Sequence, residues 1–193
     1  MNNERVKIKE TEILSDNWYT LNKVTFDYQK QNGEWETQSR EAYDRGNGST
    51  ILLYNKESKK VILTKQFRLP TYINGNESGM MIEACAGLLD KNNPEDCIRR
   101  ETEEETGYKI NKVKKIFEAY MSPGSVTEIL YFFIAEYDQS MKVNEGGGLV
   151  EEQENIEVLE LNLDDAYQMI EDGKIKDGKT IMLLQYAKIN QLV

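Results

Sequence analysis

The chain has 193 residues and a formal net charge of −10, with 39% apolar and 30% charged residues, two cysteines and no histidine. That length suits one domain with an added subdomain, and the acidity argues against nonspecific nucleic-acid binding, which needs a basic footprint. Without histidine there is no Ser-His or Cys-His nucleophile and no His-Glu-x-x-His zinc site; proton transfer falls to carboxylates, lysine, tyrosine or metal-bound water.

Taken in chain order, residues 6–14 and 18–29 alternate apolar and polar side chains and predict strands. Asn32-Gly33 is a hairpin signal leading into a third strand over 35–44. These strands predict an N-terminal antiparallel subdomain over 1–45, ahead of a second domain over 46–193. Trp18, Tyr19, Tyr28 and Trp35 are candidates for stacking a nucleotide base, although aromatic residues in strands more often serve packing. The second domain opens with strands over 49–54 and 61–68, then a loop rich in Asn and Gly and a strand over 80–85. Strands over 113–121 and 128–137 follow, with no apolar run long enough to span a membrane. Two helices close the chain: 163–171, opened by Asn162, and 178–189, where Ile181, Leu184 and Ala187 recur at helical spacing. The expectation is an α+β fold, a mixed sheet sandwiched by helices. Cys85 and Cys97 are too few for a disulfide framework and read as buried small residues. The first residues, Met1-Asn-Asn-Glu-Arg-Val-Lys, lack the apolar core of a signal peptide, so a cytoplasmic location is expected.

The remaining helix is the most informative. Asn93 is a good N-cap, Pro94 suits the first helical position, Glu95 and Asp96 sit at the positive end of the dipole, and Gly107 is the expected stop. The helix is therefore predicted over Pro94–Thr106. Its end is electrostatically unfavourable: Glu101, Glu103, Glu104 and Glu105 face the negative end of the dipole, and each like-charged pair costs about 0.2–0.5 kcal/mol. A hard divalent cation held by Glu101, Glu104 and Glu105 would relieve this; a solvated acidic face is the alternative.

The run Arg100-Glu-Thr-Glu-Glu-Glu-Thr-Gly107-Tyr108, preceded by Gly87 after an apolar strand, resembles the signature of the Nudix hydrolases. Its first half departs from that signature: Asn93 stands where a glutamate is usual, and Arg100 comes one residue early. The likeness extends through Ile13-Leu-Ser-Asp-Asn17, Arg40-Glu-Ala-Tyr-Asp-Arg-Gly-Asn-Gly48, Lys65-Gln-Phe-Arg68, Asn74-Gly-Asn-Glu-Ser-Gly79, Glu83-Ala-Cys-Ala-Gly87 and Met121-Ser-Pro-Gly124. Together these are similar to the GDP-mannose-hydrolysing branch of the family's ADP-ribose pyrophosphatase group.

The resemblance implies Mg²⁺-dependent cleavage of a nucleotide sugar, GDP-mannose before ADP-ribose, with Mn²⁺ as the alternative cation. It assigns metal binding to Glu101, Glu105 and the Ala86 carbonyl, with Glu104 as ligand or orienting base and Arg100 as the residue that aims a glutamate of the same helix. It also implies a loop glutamate as further ligand or general base. Glu152 and Glu154, after a glycine run read as mobile, are the candidates. Arg68, Glu83, Tyr28 and Pro123 are the candidate substrate contacts, Pro123 by a position associated with ADP-ribose hydrolysis. A homodimer with a swapped N-terminal region is implied as well. A nucleotide-binding module that kept this fold without catalysis is the alternative of another class.

Overall fold

The computed structural model describes residues 4–89, 93–149, 151 and 153–193. They form two compact units, one running to Asn47 and including Tyr120–Ile129, the other made of Gly48–Ala119 and Leu130–Val193. In the first unit, β1 (Val6–Asp16), β2 (Thr20–Gln29) and β3 (Trp35–Asp44) form an antiparallel sheet in the order β1-β2-β3. The β2–β3 turn closes at Gly33, which takes φ 87°, a conformation that favours glycine, and Lys30 N–H donates to the Glu34 carbonyl at 2.8 Å. The segment 120–129 joins β3, where Tyr43 N–H donates to Ser125 O and Thr127 N–H donates to Tyr43 O.

The second unit is built on a seven-stranded mixed sheet. Its strands are β4 (Gly48–Asn55), β5 (Lys60–Phe67), β6 (Met80–Glu83), β7 (Cys85–Leu88), β8 (Lys114–Tyr120), β9 (Ile129–Glu136) and β10 (Glu157–Asn162). The main path runs β10-β5-β4-β9-β8, with β6 on β5 and β7 on β4; β4 and β9 are parallel, from Gly48↔Leu130 to Tyr54↔Glu136. Among the described residues four α-helices accompany it, α1 (Leu69–Ile73), α2 (Pro94–Thr106), α3 (Leu163–Glu171) and α4 (Gly178–Ile189), besides a 3₁₀ turn over Gln139–Met141. On β4, Ile51 and Leu53 share one core cluster with Ile98 of α2, Cys85 and Phe133. Strand pleating turns the fully buried Leu52 to the other face, where α4 packs on β4. The α+β expectation therefore holds, and both cysteines are buried thiols.

Several boundaries differ from the sequence reading. β5 ends at Phe67, so Arg68 precedes a one-turn helix, α1, opened by Pro70 within the loop. The strand over 80–85 breaks at Ala84, where the chain passes from its partner β5 to β4. β10 was not predicted; it is a short edge strand whose Glu157 and Glu160 pair with Lys65 and Lys60 of β5 at 3.0 Å each, and those charges hide its alternation. In α4, Thr180, Leu183, Leu184 and Ala187 are buried, whereas Ile181 is only half-buried.

Candidate active site

Helix α2 begins as its sequence dictates. Asn93 Oδ1 accepts from Asp96 N–H at 3.0 Å, and Gly107 ends the helix at φ 79° with its N–H on the Glu103 carbonyl. The glycine run 146–148, expected to be mobile, is docked against this end. Gly147 N–H donates to Glu105 O at 2.9 Å, Gly148 N–H donates to Glu104 O at 3.1 Å, and Val143 N–H donates to Gly107 O at 2.8 Å. The last carbonyls of a helix lack intrahelical partners, and here the loop backbone supplies them. All three glycines have positive φ, and a Cβ on Gly146 would overlap the Glu105 carbonyl, so glycine serves close approach here rather than freedom of movement. A cavity of about 600 Å³ lies between the last turns of α2 and residues 144–149.

Glu101 packs against Gly87 in β7, and a Cβ there would overlap its carboxyl group. Arg100 donates to Glu101 Oε1 at 2.8 Å and to Glu104 Oε2 at 3.2 Å, drawing two carboxylates of the same helix together. Glu105 points inward: it is 2% exposed, and its Oε2 is buried without a hydrogen-bond partner. Burial pushes its carboxyl up to about 8; the Cys85 thiol pulls it back in part, Glu101 and Glu154 push it further up, and Arg68 opposes them. The Cys85 thiol is itself held well above its usual range by burial and then by Glu105.

A second cluster lies at the start of α4. The buried Glu83 accepts from Arg68 Nε at 2.8 Å and from Lys179 Nζ at 2.9 Å, and Lys179 also reaches Asp177 at 3.0 Å. Burial alone would raise the Glu83 carboxyl, but Lys179 and Arg68 outweigh it and hold it below its ordinary value. Asp177 caps α4 by accepting from Thr180 N–H and Oγ–H, and Thr180 Oγ1 accepts from Ala84 N–H at 2.6 Å. The N–H left free at the β6–β7 break is thus satisfied by α4, which fixes the strand carrying Ala86 and Gly87. Sequence reasoning missed Lys179, Thr180 and Asp177. The available signal was an Asp three residues before a Thr at a helix start.

Ala86 pairs with Thr50 in the β4–β7 ladder. Glu154 Oε2 accepts from Leu149 N–H at 2.9 Å; Glu152 lies outside the described residues. Tyr28, on β2 beneath the Arg5 guanidinium, and Pro123, between β8 and β9, belong to the first unit. Among the described residues, no three Asp, Glu or Cys side chains already converge as a metal-holding group. Glu101 and Glu104 are turned onto Arg100, and Glu154 onto Leu149. The donors nevertheless fit a hard divalent cation: they are oxygen atoms, and one of them, Glu105 Oε2, is buried and unpartnered.

Residues 5–43 match the GDP-mannose pyrophosphatase NudK N-terminal domain, and residues 44–184 match the NUDIX domain. A GDP-mannose pyrophosphatase of Pectobacterium atrosepticum is 60% identical over 184 residues, covering 95% of this chain and 94% of that protein. One of Yersinia pestis is 59% identical over 187 residues, covering 96% and 93%. A third, of Yersinia enterocolitica, is 58% identical over 190 residues, covering 97% and 98%.

Proposed function

This chain belongs to the NUDIX family, and from that premise we propose that it hydrolyses the pyrophosphate bond of GDP-mannose, releasing GMP and mannose 1-phosphate. Its relatives of nearly equal length carry that activity in their names, and its N-terminal region matches the corresponding domain. The observation that carries the chemistry is Glu105, a buried carboxylate with an unpartnered oxygen, flanked electrostatically by Glu101 and Glu154. A divalent cation bound there would account for such a group.

Glu101, Glu105 and the Ala86 carbonyl would hold Mg²⁺, or Mn²⁺ in its place, with Glu104 and Glu154 as further oxygen donors. When bound, the cation neutralises phosphate charge and lowers the pKa of a bound water. Arg100 pairs with Glu101 and Glu104 and so would hold these two carboxylates close to each other before a cation is bound. Arg68 commits its Nε to Glu83 while its side chain stays 42% exposed, leaving the Nη donors for a diphosphate oxygen. Glu83 in turn fixes Arg68, and Lys179 keeps Glu83 ionised. In the absence of histidine, the base that takes the proton of the attacking water is a carboxylate. Glu104, Glu105, Glu152 and Glu154 are the candidates, Glu105 only when a cation holds it ionised. Tyr28 and Pro123 of the N-terminal unit are kept as candidate substrate contacts, and the expected assembly is a homodimer. The setting is cytoplasmic.

Incubation with GDP-mannose or ADP-ribose, with and without Mg²⁺ or Mn²⁺, tests this reading. Metal-dependent formation of GMP and mannose 1-phosphate is expected, with a higher kcat/KM for GDP-mannose. Preference for ADP-ribose would follow the position of Pro123 instead, and absence of GDP-mannose turnover would end the proposal. Glu105→Gln should reduce kcat by at least about a hundredfold, the scale of losing one electrostatic group at a reacting centre.

A further inference from the structure

The three glycines at 146–148 differ in what their missing side chains leave room for. A Cβ on Gly146 would meet the carbonyl of Glu105, and one on Gly147 would make only an ordinary contact, 3.7 Å from the Ile156 carbonyl. A Cβ on Gly148 would run into Glu154, overlapping Oε2 and lying 2.6 Å from its Cβ. Because the overlap reaches the Cβ, a change of rotamer cannot relieve it; the backbone of Glu154 has to move. The segment is also closed on itself, since Glu154 N–H donates to Leu149 O at 3.2 Å and Leu149 N–H returns to Glu154 Oε2 at 2.9 Å. Ile156 N–H adds a bond to Gly147 O at 3.1 Å.

We propose that Gly148 is a positioning residue for Glu154. Its bare Cα is the seat on which Glu154 rests, and the N–H groups of Gly147 and Gly148, bonded to the carbonyls of Glu105 and Glu104, fasten that seat to the last turn of α2. The run therefore has two jobs that need different atoms. The amides cap the helix and survive substitution by alanine, whereas the vacant space at Gly148 does not. One carboxylate on a loop is thereby tied to the backbone of the helix that carries Glu101, Glu104 and Glu105. The consequence for catalysis rests on the metal-binding role proposed above for Glu154; the seat itself does not.

Two readouts on the full chain separate these layers. In the metal-free protein, the Leu149 amide proton reports the seat through its bond to Glu154, by NMR shift and hydrogen exchange. Gly148→Ala is expected to release that proton as completely as Glu154→Ala does. Gly147→Ala, which strains a backbone at φ 110° without touching Glu154, is expected to leave it protected. Protection retained in Gly148→Ala, or lost equally in Gly147→Ala, would overturn the seat, as would fast exchange of the Gly147 and Gly148 amides in the unaltered protein. Mn²⁺ binding, followed by electron paramagnetic resonance, reads the consequence. Gly148→Ala should weaken it about tenfold, the scale of losing a supporting group behind a metal ligand, and should add nothing on the Glu154→Ala background. Additive losses would show that Gly148 acts other than through Glu154 and would overturn the proposal. If Leu149 behaves as expected while all variants bind Mn²⁺ normally, the seat stands and the metal role of Glu154 falls.

Discussion

In β1, Ile8 and Ile13 are 63% and 61% exposed, whereas Ile51 and Ile62 in the central sheet are 0% and 2% exposed. Both sheets contain antiparallel ladders, the second adding the parallel pair β4–β9, and among the described residues it is the second whose strands carry helices packed over them. The N-terminal sheet is held by cross-strand side-chain contacts instead. Thr25 bonds Ser39 at 2.9 Å, Thr37 bonds Asp27 at 2.6 Å, and the Lys7 ammonium lies 4.2 Å from the centre of the Trp35 ring. Such contacts are each worth about 0.2–1 kcal/mol, far less than burial of a large apolar side chain. Repeating backbone geometry therefore says little about where stability resides; burial decides it, and the proposed chemistry stands on the sheet that has it.

The sharpest test of that contrast is a paired truncation. Phe133→Ala, in the central core, should lower unfolding free energy by about 3–5 kcal/mol. Ile8→Ala should stay within about 0.5 kcal/mol. Urea denaturation reads both, and equal losses would dissolve the distinction.

Next comes pH. Among the described residues, the deeply buried carboxyl of Glu105 belongs to the second unit, with a folded value of about 8 against an ordinary 4.5. Between those values the folded state binds the proton more tightly than the unfolded state. Metal-free protein should therefore lose a few kcal/mol as pH rises through that window and level off above it. Glu105→Gln should flatten the slope, and added Mg²⁺ should oppose it. By contrast, the carboxyl of Asp27 in the N-terminal sheet is held below its ordinary value chiefly by Thr37; its contribution is present at neutral pH and fades only under acid.

Thr180→Val should cost about 1–3 kcal/mol by leaving the buried Ala84 N–H without a partner. Thr180→Ser should restore most of it, and a thermal shift series of the three proteins measures the difference. The smallest effect on the folded chain is expected from Ile8→Asp combined with Ile13→Asp. If those side chains are covered by a second copy, sedimentation should show dissociation with little change in unfolding midpoint; an unchanged mass would show that they cover no interface.

How much of this was legible in the sequence follows from whether a feature is local. The start and end of α2 could be read at Asn93, Pro94 and Gly107, because capping uses residues adjacent in the chain. The glutamate cluster could be read because its spacing is helical. Lys179 could not be paired with Glu83, nor Thr180 with Ala84, because those contacts join α4 to a strand break that periodicity does not reveal. The glycine run was read as slack when it is a close-approach surface: a sequence gives the freedom of glycine, and only the packed structure shows what occupies the space.

The parallel pairing of β4 with β9 has a kinetic consequence. Gly48 must find Leu130, and α2 with its carboxylates lies on the chain between them. Closing so long a loop is entropically unfavourable before any contact rewards it, and chains dominated by distant pairings fold slowly. The local hairpins of β1, β2 and β3 are free to form early, while the acidic helix waits on the slowest closure. Divalent cations should then leave the refolding rate nearly unchanged and slow unfolding, because their ligands are gathered only after the rate-limiting step.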